Sequence, residues 1–451
     1  MEVVLYLLIL PLIASLLSLA GERWGRALTP AFAFATAVLS ALMLYEGETV
    51  STPNLYADWY SLVIAGIVSW VYFFASLASL YYTEGLERPF FDLRYYWSFL
   101  SLFALTMSFT ALVSNLGWMW IGLEATTVVS ALLILTEGEK RNVEGAWRYM
   151  IVASAGLGVA FLSVILAYVS AGTLDVRHLT FTPKEALLVS TLALIGFGTK
   201  VGLFPMHGWL PDAHGSAPSP VSAMLSGTLL PTALLVYYRI LSASPWDSPA
   251  KITLLFGVLT LLVASFLMAS QRFVKRLLAY SSMDMMGVAT IGLGLAYYHP
   301  ALLKLVFLLL AVHAFSKGAL FITAGSVMRA YGTHEIGGIR GLMNSNPMSG
   351  LSLVLSALSV TGSPPFGTFI AELGIIGVAL SRSYWWALFI GTGLLLSFLA
   401  LNWHSAKMAF GEGEKRKVPT GEGIIVLAMT LTALGISLYA WYLIVTGGLV
   451  V

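Results

Sequence analysis

Residues 192–220 read LALIGFGTKVGLFPMHGWLPDAHGSAPSP, an apolar stretch that carries one lysine and is then interrupted by glycine and proline. Proline inside a helix lacks a backbone donor and clashes with the preceding turn. The stretch therefore predicts an interrupted helix with Lys200 beside the break. A break of this kind inside an apolar segment is typical of membrane proteins that enclose a polar pathway.

The composition indicates that this stretch lies in a lipid bilayer. Of the 451 residues, 58% are hydrophobic and 10% are charged, whereas soluble proteins carry roughly 25% charged residues. An all-α polytopic membrane protein is predicted, and an ordinary soluble enzyme is excluded. The net charge of +2 and the lack of a long basic tract argue against nucleic-acid binding. The absence of cysteine excludes disulfides and cysteine-ligated clusters.

Fourteen apolar segments approach the length of about 20 residues that a helix needs to cross the hydrocarbon. They run approximately over 3–20, 27–45, 59–82, 96–115, 117–135, 146–170, 185–206, 218–240, 252–270, 277–298, 301–328, 348–380, 384–403 and 421–446.

Basic residues in the connections predict the orientation, because cytoplasmic loops of membrane proteins are enriched in lysine and arginine. One alternating set of connections holds only Arg177, Lys184, Arg239, Lys251 and Arg382. The other set holds Arg23, Arg26, Arg88, Arg94, Lys140, Arg141, Arg148, Arg272, Lys275, Arg276, Arg329, Arg340, Lys407, Lys415, Arg416 and Lys417. The richer set is predicted to be cytoplasmic, in the plasma membrane of a prokaryote, with both termini outside.

A second broken segment lies five helices after the first. Residues 358–376 read LSVTGSPPFGTFIAELGII, so the twelfth predicted helix is interrupted like the seventh. An odd-numbered repeat inverts its orientation, and inverted repeats are common in secondary transporters. Two inverted five-helix repeats are therefore predicted. The alternative is that proline and glycine are simply frequent in membrane helices. The predicted organisation is 1–95 for helices 1–3, 96–240 for helices 4–8, 251–410 for helices 9–13, and 421–451 for helix 14.

Five charged residues stand out within the predicted spans, since a charge at the bilayer centre costs several kcal/mol and needs a reason. They are Glu124, Lys200, Asp284, Lys317 and Glu372. Desolvation disfavours the charged form of a lysine, and a nearby carboxylate opposes this effect. Lys200 paired with Glu124 is therefore predicted to be a switchable proton carrier. The alternative is a static buried ion pair that only fixes packing.

Three histidines accompany these charges. His313 and Lys317 are four residues apart and lie on one helix face, and histidine can relay protons near neutral pH. Asp284 follows two serines and either takes part in this relay or accepts hydrogen bonds locally. His207 and His214 either line a cytoplasmic entrance or pack against Trp209. No metal-binding or nucleotide-binding motif is present, so no metal and no cofactor are predicted.

Three sequence blocks now identify a resemblance. Residues 198–225, GTKVGLFPMHGWLPDAHGSAPSPVSAML, resemble the antiporter-like subunits of respiratory complex I, and QRFVKRLLAYSSMDMMG and HAFSKGALF are two further blocks of that family in the expected order. The same family includes the A and D components of the Mrp cation/proton antiporters and subunits of membrane-bound hydrogenases. The glutamate after the Pro-Pro break is most similar to the D component of Mrp and to the M component of complex I.

The resemblance implies two half-channels joined by a central hydrated axis that carries protons or exchanges them for sodium. By position, it makes Glu124 the acid of the fifth helix, Lys200 the lysine of the broken helix, His313 with Lys317 the central relay, and Glu372 the terminal group. Two positions depart from the family. Pro231 and Met285 stand where a lysine and a histidine are common, so the link between half-channels is weakened, bridged by water or replaced through Asp284.

Three functions follow as hypotheses. The first is an ion-translocating subunit, for protons or sodium, of a multisubunit redox-driven or Mrp-type complex. Its partners would be further antiporter-like and small membrane subunits together with peripheral redox subunits. The connections leave no room for a catalytic centre, so any oxidoreductase activity would belong to the whole complex. The second is a free-standing Na⁺(K⁺)/H⁺ antiporter. The third is a degenerate structural subunit that no longer conducts.

Overall fold

The computed structural model describes residues 2–86, 89–414 and 416–446. Met1, Glu87, Arg88, Lys415 and residues 447–451 lie outside this range. Arg88 and Lys415, two basic residues on which the predicted orientation rests, are therefore not described. Residues 447–451 of the fourth predicted part, 421–451, are not described either.

The described residues form eighteen α-helices and one short β-hairpin. The helices are α1 Glu2–Ser18, α2 Glu22–Glu46, α3 Trp59–Glu84, α4 Leu93–Leu112, α5 Leu116–Ile134, α6 Lys140–Ala171, α7 Pro183–Val201, α8 Trp209–Ser216, α9 Ser219–Met224, α10 Leu230–Ser242, α11 Asp247–Ala269, α12 Val274–Leu295, α13 Leu302–Tyr331, α14 Leu342–Ser345, α15 Pro347–Val360, α16 Gly367–Arg382, α17 Tyr384–Ala409 and α18 Thr420–Val445, and the strands are β1 Val50–Ser51 and β2 Tyr56–Ala57.

The all-helical membrane fold is confirmed. Among the described residues, eleven helices are long and apolar enough to cross a bilayer. Each of the fourteen predicted segments contains a helix, but α1 and α15 are short and α12 carries several charged residues. The number fourteen and the inverted repeat therefore stay predictions. The antiparallel hairpin of β1 and β2 was not predicted.

The chain divides into two compact units. The N-terminal unit comprises Met1–Gly202 and Met206–Pro249, and the C-terminal unit comprises Leu203–Pro205 and Ala250–Val451. The four-part organisation predicted from the sequence is a finer division that this partition does not test.

Close helix contacts position α7 in the N-terminal unit. Gly196 lies directly against the backbone of Ala160 on α6, and Gly156 lies against the side chain of Thr199 on α7. A side chain at either glycine would force the helices apart. Lys200 is one turn after Gly196, so this contact directs it toward α6.

In the same unit, α9 and α10 are joined by the wide turn of a π-helix at Leu225–Leu229. Pro231 follows at the start of α10, where its missing backbone donor is tolerated because the regular hydrogen-bond pattern is already interrupted. Every residue from Ser219 to Ile240 is buried within the structure. Pro231 therefore occupies the interior, where the family often carries a lysine.

In the C-terminal unit, α13 is largely enclosed, as α12 is, with 23 of its 30 residues buried. It contacts α12, α15, α16 and α18. Helices α11 and α12 approach closely because Gly257 and Gly287 face each other's backbone. Asp284 on α12 and Lys317 on α13 are both buried within the structure.

Candidate functional site

The first helix break lies directly beside its lysine. Helix α7 stops at Val201, and Gly202 adopts a left-handed conformation with φ of +85°, which glycine tolerates because it has no Cβ. A 3-10 turn at Met206–Gly208 and helix α8 follow. The break therefore occurs one residue after Lys200, as the sequence predicted.

Lys200 is completely buried. Its Nζ donates hydrogen bonds to Thr127 Oγ1 at 2.7 Å and to the Tyr149 hydroxyl at 2.6 Å. Nζ also lies 4.8 Å from the centre of the Tyr149 ring, a distance at which a cation is attracted to an aromatic face. A buried lysine is thus held by neutral hydroxyl groups instead of by a carboxylate.

Glu124 lies near Lys200 without a direct ion pair. It precedes Thr127 by three residues on α5, and its charge acts on the ammonium. Ser154 Oγ donates to Glu124 Oε1 at 2.7 Å, while Oε2 is buried without a hydrogen-bond partner in the described chain. The structure therefore places Glu124 close enough for its charge to act on Lys200, while the hydrogen bonds of the ammonium go to Thr127 and Tyr149.

The two histidines of the predicted entrance are in different environments. His207 is half-buried in the turn after the break, whereas His214 on α8 is completely buried. Trp209 lies between them in sequence. Its ring is tilted by 42° against the Tyr149 ring, with the ring centres 4.8 Å apart, and its Nε1 donates to the Thr199 carbonyl at 2.7 Å. Trp209 thus ties α8 to the residue before Lys200, and the role of both histidines stays a prediction.

The central residues of the C-terminal unit are also buried. His313 and Lys317 on α13 are both fully inaccessible. Lys317 Nζ donates to the backbone carbonyl of Leu278 on α12 at 3.1 Å. The second lysine is therefore held by the main chain, in the middle of an uninterrupted helix.

Asp284 lies on α12 and is 2% exposed. The Ser397 hydroxyl on α17 donates to its carboxylate, and Lys317 acts on it electrostatically. Met285 is also buried, but adjacent residues of a helix point about 100° apart. The Asp284 side chain therefore points in a different direction from the Met285 side chain.

The second broken segment places Glu372 against its own break. Helix α15 ends at Val360, Gly362 adopts a φ of +63°, and α16 begins at Gly367. The Glu372 carboxylate lies directly against the Cα of Gly362, so that a side chain at position 362 would overlap it. Glu372 is 7% exposed, and its Oε1 has no hydrogen-bond partner among the described residues.

The hydroxyl groups that bind these charges were not predicted. Thr127, Tyr149, Ser154 and Ser397 supply them. Their positions on three different helices carry no motif, because serine and threonine are common in membrane helices and also bond to their own backbone. Helical spacing alone gives a signal for Thr127, which is three residues after Glu124.

A buried ion pair was also not predicted. Arg239 near the end of α10 donates to both carboxylate oxygens of Asp58, at 2.7 and 2.6 Å, and to Ser61 at 2.9 Å. In the sequence Arg239 lies at the end of the predicted segment 218–240 and is counted with the connections of the side that is poorer in basic residues. In the structure it lies within the helix and is 5% exposed.

The described residues contain no group of three or more His, Asp and Glu side chains placed to hold a metal ion. They do contain two sets of buried titratable groups, one in each unit, and each set includes a residue beside a helix break, Lys200 in the first and Glu372 in the second. Taken together, these features are those of a polytopic membrane subunit with a polar interior.

Comparison with known proteins defines the class further. Residues 113–399 match the family described as NADH:quinone oxidoreductase/Mrp antiporter, transmembrane. A hydrogenase-4 component F homolog of Methylacidiphilum infernorum (isolate V4) is 31% identical over 431 residues, which cover 90% of this chain and 89% of that protein. The chain therefore belongs to the NADH:quinone oxidoreductase/Mrp antiporter family, as its sequence blocks indicated.

Solved structures show the same fold. A chain of the Mrp complex from Dietzia sp. DQ12-45-1b superposes with a TM-score of 0.89 at 18% identity, covering 98% of this chain and 95% of that one. A chain of the membrane-bound sulfane sulfur reductase, an archaeal respiratory membrane complex, superposes with a TM-score of 0.86 at 21% identity, covering 99% and 97%. The antiporter-like architecture predicted from the sequence is confirmed.

Proposed function

We propose that this chain is an ion-translocating subunit of a multisubunit membrane complex, and that Lys200 is the group whose protonation changes during transport. The observation that carries the proposal is the environment of Lys200. The Lys200 ammonium is fully buried and bound by two hydroxyls, and Glu124 acts on it without a direct ion pair. Loss of the lysine proton therefore breaks no direct contact with a buried carboxylate.

Glu124 sets the proton affinity of Lys200 in this mechanism. When the Glu124 carboxylate is charged, it stabilises the protonated form of Lys200. When the carboxylate is neutralised, that stabilisation is lost. Glu124 Oε2 has no hydrogen-bond partner among the described residues, so it can accept a proton or a hydrogen bond from a second donor. In the C-terminal unit, Lys317 with His313 passes the proton on and Glu372 exchanges it at the far end, with Asp284 as an additional acceptor. His207 and His214 serve the N-terminal unit from the entrance side.

The transported ion is a proton, with sodium as a second candidate, because carboxylates bind either ion. The partners are other membrane subunits and peripheral redox subunits that supply the driving force. The hydrogenase-4 homolog and the respiratory complex favour this assembly over a free-standing antiporter, which would transport as a purified single chain in liposomes.

The test is Lys200→Ala in the assembled complex. Proton uptake by sealed vesicles, followed with a pH-sensitive dye, is expected to fall about a hundredfold or more, the contribution of a positioned proton-transfer group. Lys304→Ala is the matched control, since Lys304 is an exposed lysine near the start of α13. Native gels check assembly. Full proton uptake by an assembled Lys200→Ala complex would contradict the proposal.

A non-conducting structural subunit is the second candidate. The buried Pro231 and Met285, where the family often has titratable residues, favour it. Neutralising both Lys200 and Glu372 distinguishes the two functions. The ion-translocating subunit loses transport in the double variant, whereas the structural subunit keeps the transport of the complex unchanged.

We further propose that the chain lies in a prokaryotic plasma membrane with both termini outside. Because the native chain has no cysteine, single cysteines report sidedness cleanly. In intact cells an impermeant maleimide is expected to label Lys184→Cys, which is exposed at the start of α7, and to spare Glu412→Cys, which is exposed after α17. Labelling of Glu412→Cys alone would reverse the orientation.

A further inference from the structure

A cavity of about 730 Å³ with both polar and apolar lining residues lies at one end of the helices of the C-terminal unit. It is formed where α11 and α17 end, where α12 begins, and where the chain continues after α13. Its lining includes Arg272, Arg340 and Lys407 together with Glu335. None of these residues belongs to the buried sets described above.

The charges of this cavity are not balanced. Three cations face one carboxylate, which leaves an excess of two positive charges. Within the described part of the chain, none of the three cations forms an ion pair. Other arginines on the same predicted side are paired, as Arg329 is with Glu422 and Arg416 with Glu414. Three cations without an ion pair among the described residues therefore line one open cavity, an arrangement that suits an anion.

The cavity also has an aromatic border toward the lipid. Trp403 is 63% exposed and Phe410 is 52% exposed, and both belong to the last two turns of α17 or directly follow it. Lys407 Nζ lies 4.9 Å from the centre of the Trp403 ring. Exposed aromatic side chains at helix ends are characteristic of the headgroup level of a bilayer.

We infer that this cavity binds the headgroup of an anionic phospholipid, with Arg272, Arg340 and Lys407 contacting the phosphate region and Trp403 lying beside the upper acyl chain. Basic pockets between membrane helices on the cytoplasmic side attract anionic headgroups, and arginine suits phosphate oxygens because its guanidinium donates in a planar fork. The cavity opens beside exposed aromatic surface, which a lipid covers and a free phosphate ion does not.

For the test, the full chain is purified in its native assembly and placed in phosphatidylcholine nanodiscs that contain increasing amounts of phosphatidylglycerol. The lipid that remains bound to the chain is then counted. Native mass spectrometry measures phosphatidylglycerol retention. Each cation removed is expected to raise the half-saturating phosphatidylglycerol content about fivefold. The double variant R272Q/R340Q is therefore expected to raise it about 25-fold. The matched control Arg416→Gln, which removes an already paired arginine, is expected to stay within about twofold.

Two further arms separate lipid binding from misfolding and from the binding of a free phosphate ion. R272K/R340K is expected to recover most of the retention because the charge returns, and the melting temperature of each variant in pure phosphatidylcholine checks that it is folded. Unchanged retention by a folded R272Q/R340Q would overturn the inference. So would displacement of phosphatidylglycerol by excess inorganic phosphate, which would identify a phosphate-ion site. No arm measures transport, so the outcome is independent of the proposed function.

Discussion

The two buried lysines are held in different ways. Lys200 lies at the end of a broken helix and binds the side chains of Thr127 and Tyr149. Lys317 lies in the middle of the 30-residue helix α13 and binds the main-chain carbonyl of Leu278. Both are fully inaccessible, so burial alone does not distinguish them.

The difference assigns different tasks to the two positions. Hydroxyl groups can rotate and can donate as well as accept, so the partners of Lys200 can follow a change in its protonation. A backbone carbonyl within α12 only accepts, and its position is fixed by the helix. Lys200 is therefore suited to switching, whereas Lys317 is suited to a fixed place in a relay.

The two helix breaks give the largest contrast. Gly362→Ala puts a non-glycine residue at a φ of +63° and places its Cβ in the space of the Glu372 carboxylate. Gly202→Ala has similar backbone strain at a φ of +85°, but its Cβ meets the flexible end of Leu210 at 3.1 Å. The left-handed conformation costs roughly 1–2 kcal/mol in either case, and only Gly362→Ala also displaces a buried acid.

The measurement is the thermal midpoint of each purified variant together with proton uptake in vesicles. Gly362→Ala is expected to lower the midpoint more than Gly202→Ala and to abolish transport, while Gly202→Ala retains part of it. Equal effects of the two alanines would remove the contrast between the breaks.

A smaller effect is expected from the hydroxyl partners of Lys200. Tyr149→Phe and Thr127→Val each delete one hydrogen bond to a charged group, worth about 1.5–3 kcal/mol. Each is expected to reduce proton uptake about tenfold or more, with the double variant lower still because the ammonium would then lack both partners. Phe103→Leu, at another buried aromatic residue of the N-terminal unit, is the packing control. Normal transport by the double variant would show that the two hydroxyls are not needed for the change in the protonation of Lys200.

Much of this architecture followed from the sequence. The helical membrane fold, the break beside Lys200 and the break before Glu372 were all predicted from apolar segments interrupted by glycine and proline. These features are local, since each depends on neighbours along the chain. The family was also recognisable, because the block at residues 198–225 combines the break with a charged residue.

The partners of the buried charges did not follow from the sequence. Thr127 and Tyr149 lie on α5 and α6, and their approach to Lys200 depends on how closely α7 packs against α6 at Gly196 and Gly156. Such contacts are set by tertiary packing, which periodicity does not encode. Direct pairing of Glu124 with Lys200 was the simplest expectation, and the structure instead places the Thr127 hydroxyl on Lys200 with Glu124 one turn earlier on α5.

The central claim is that Lys200 must lose and regain a proton. Lys200→Arg tests it most directly, because arginine keeps the positive charge and stays protonated in proteins. In vesicles containing the assembled complex, Lys200→Arg is expected to lose proton uptake as completely as Lys200→Ala, while Lys304→Arg transports normally. Normal proton uptake by an assembled Lys200→Arg complex would contradict the account, since a permanent charge would then be sufficient.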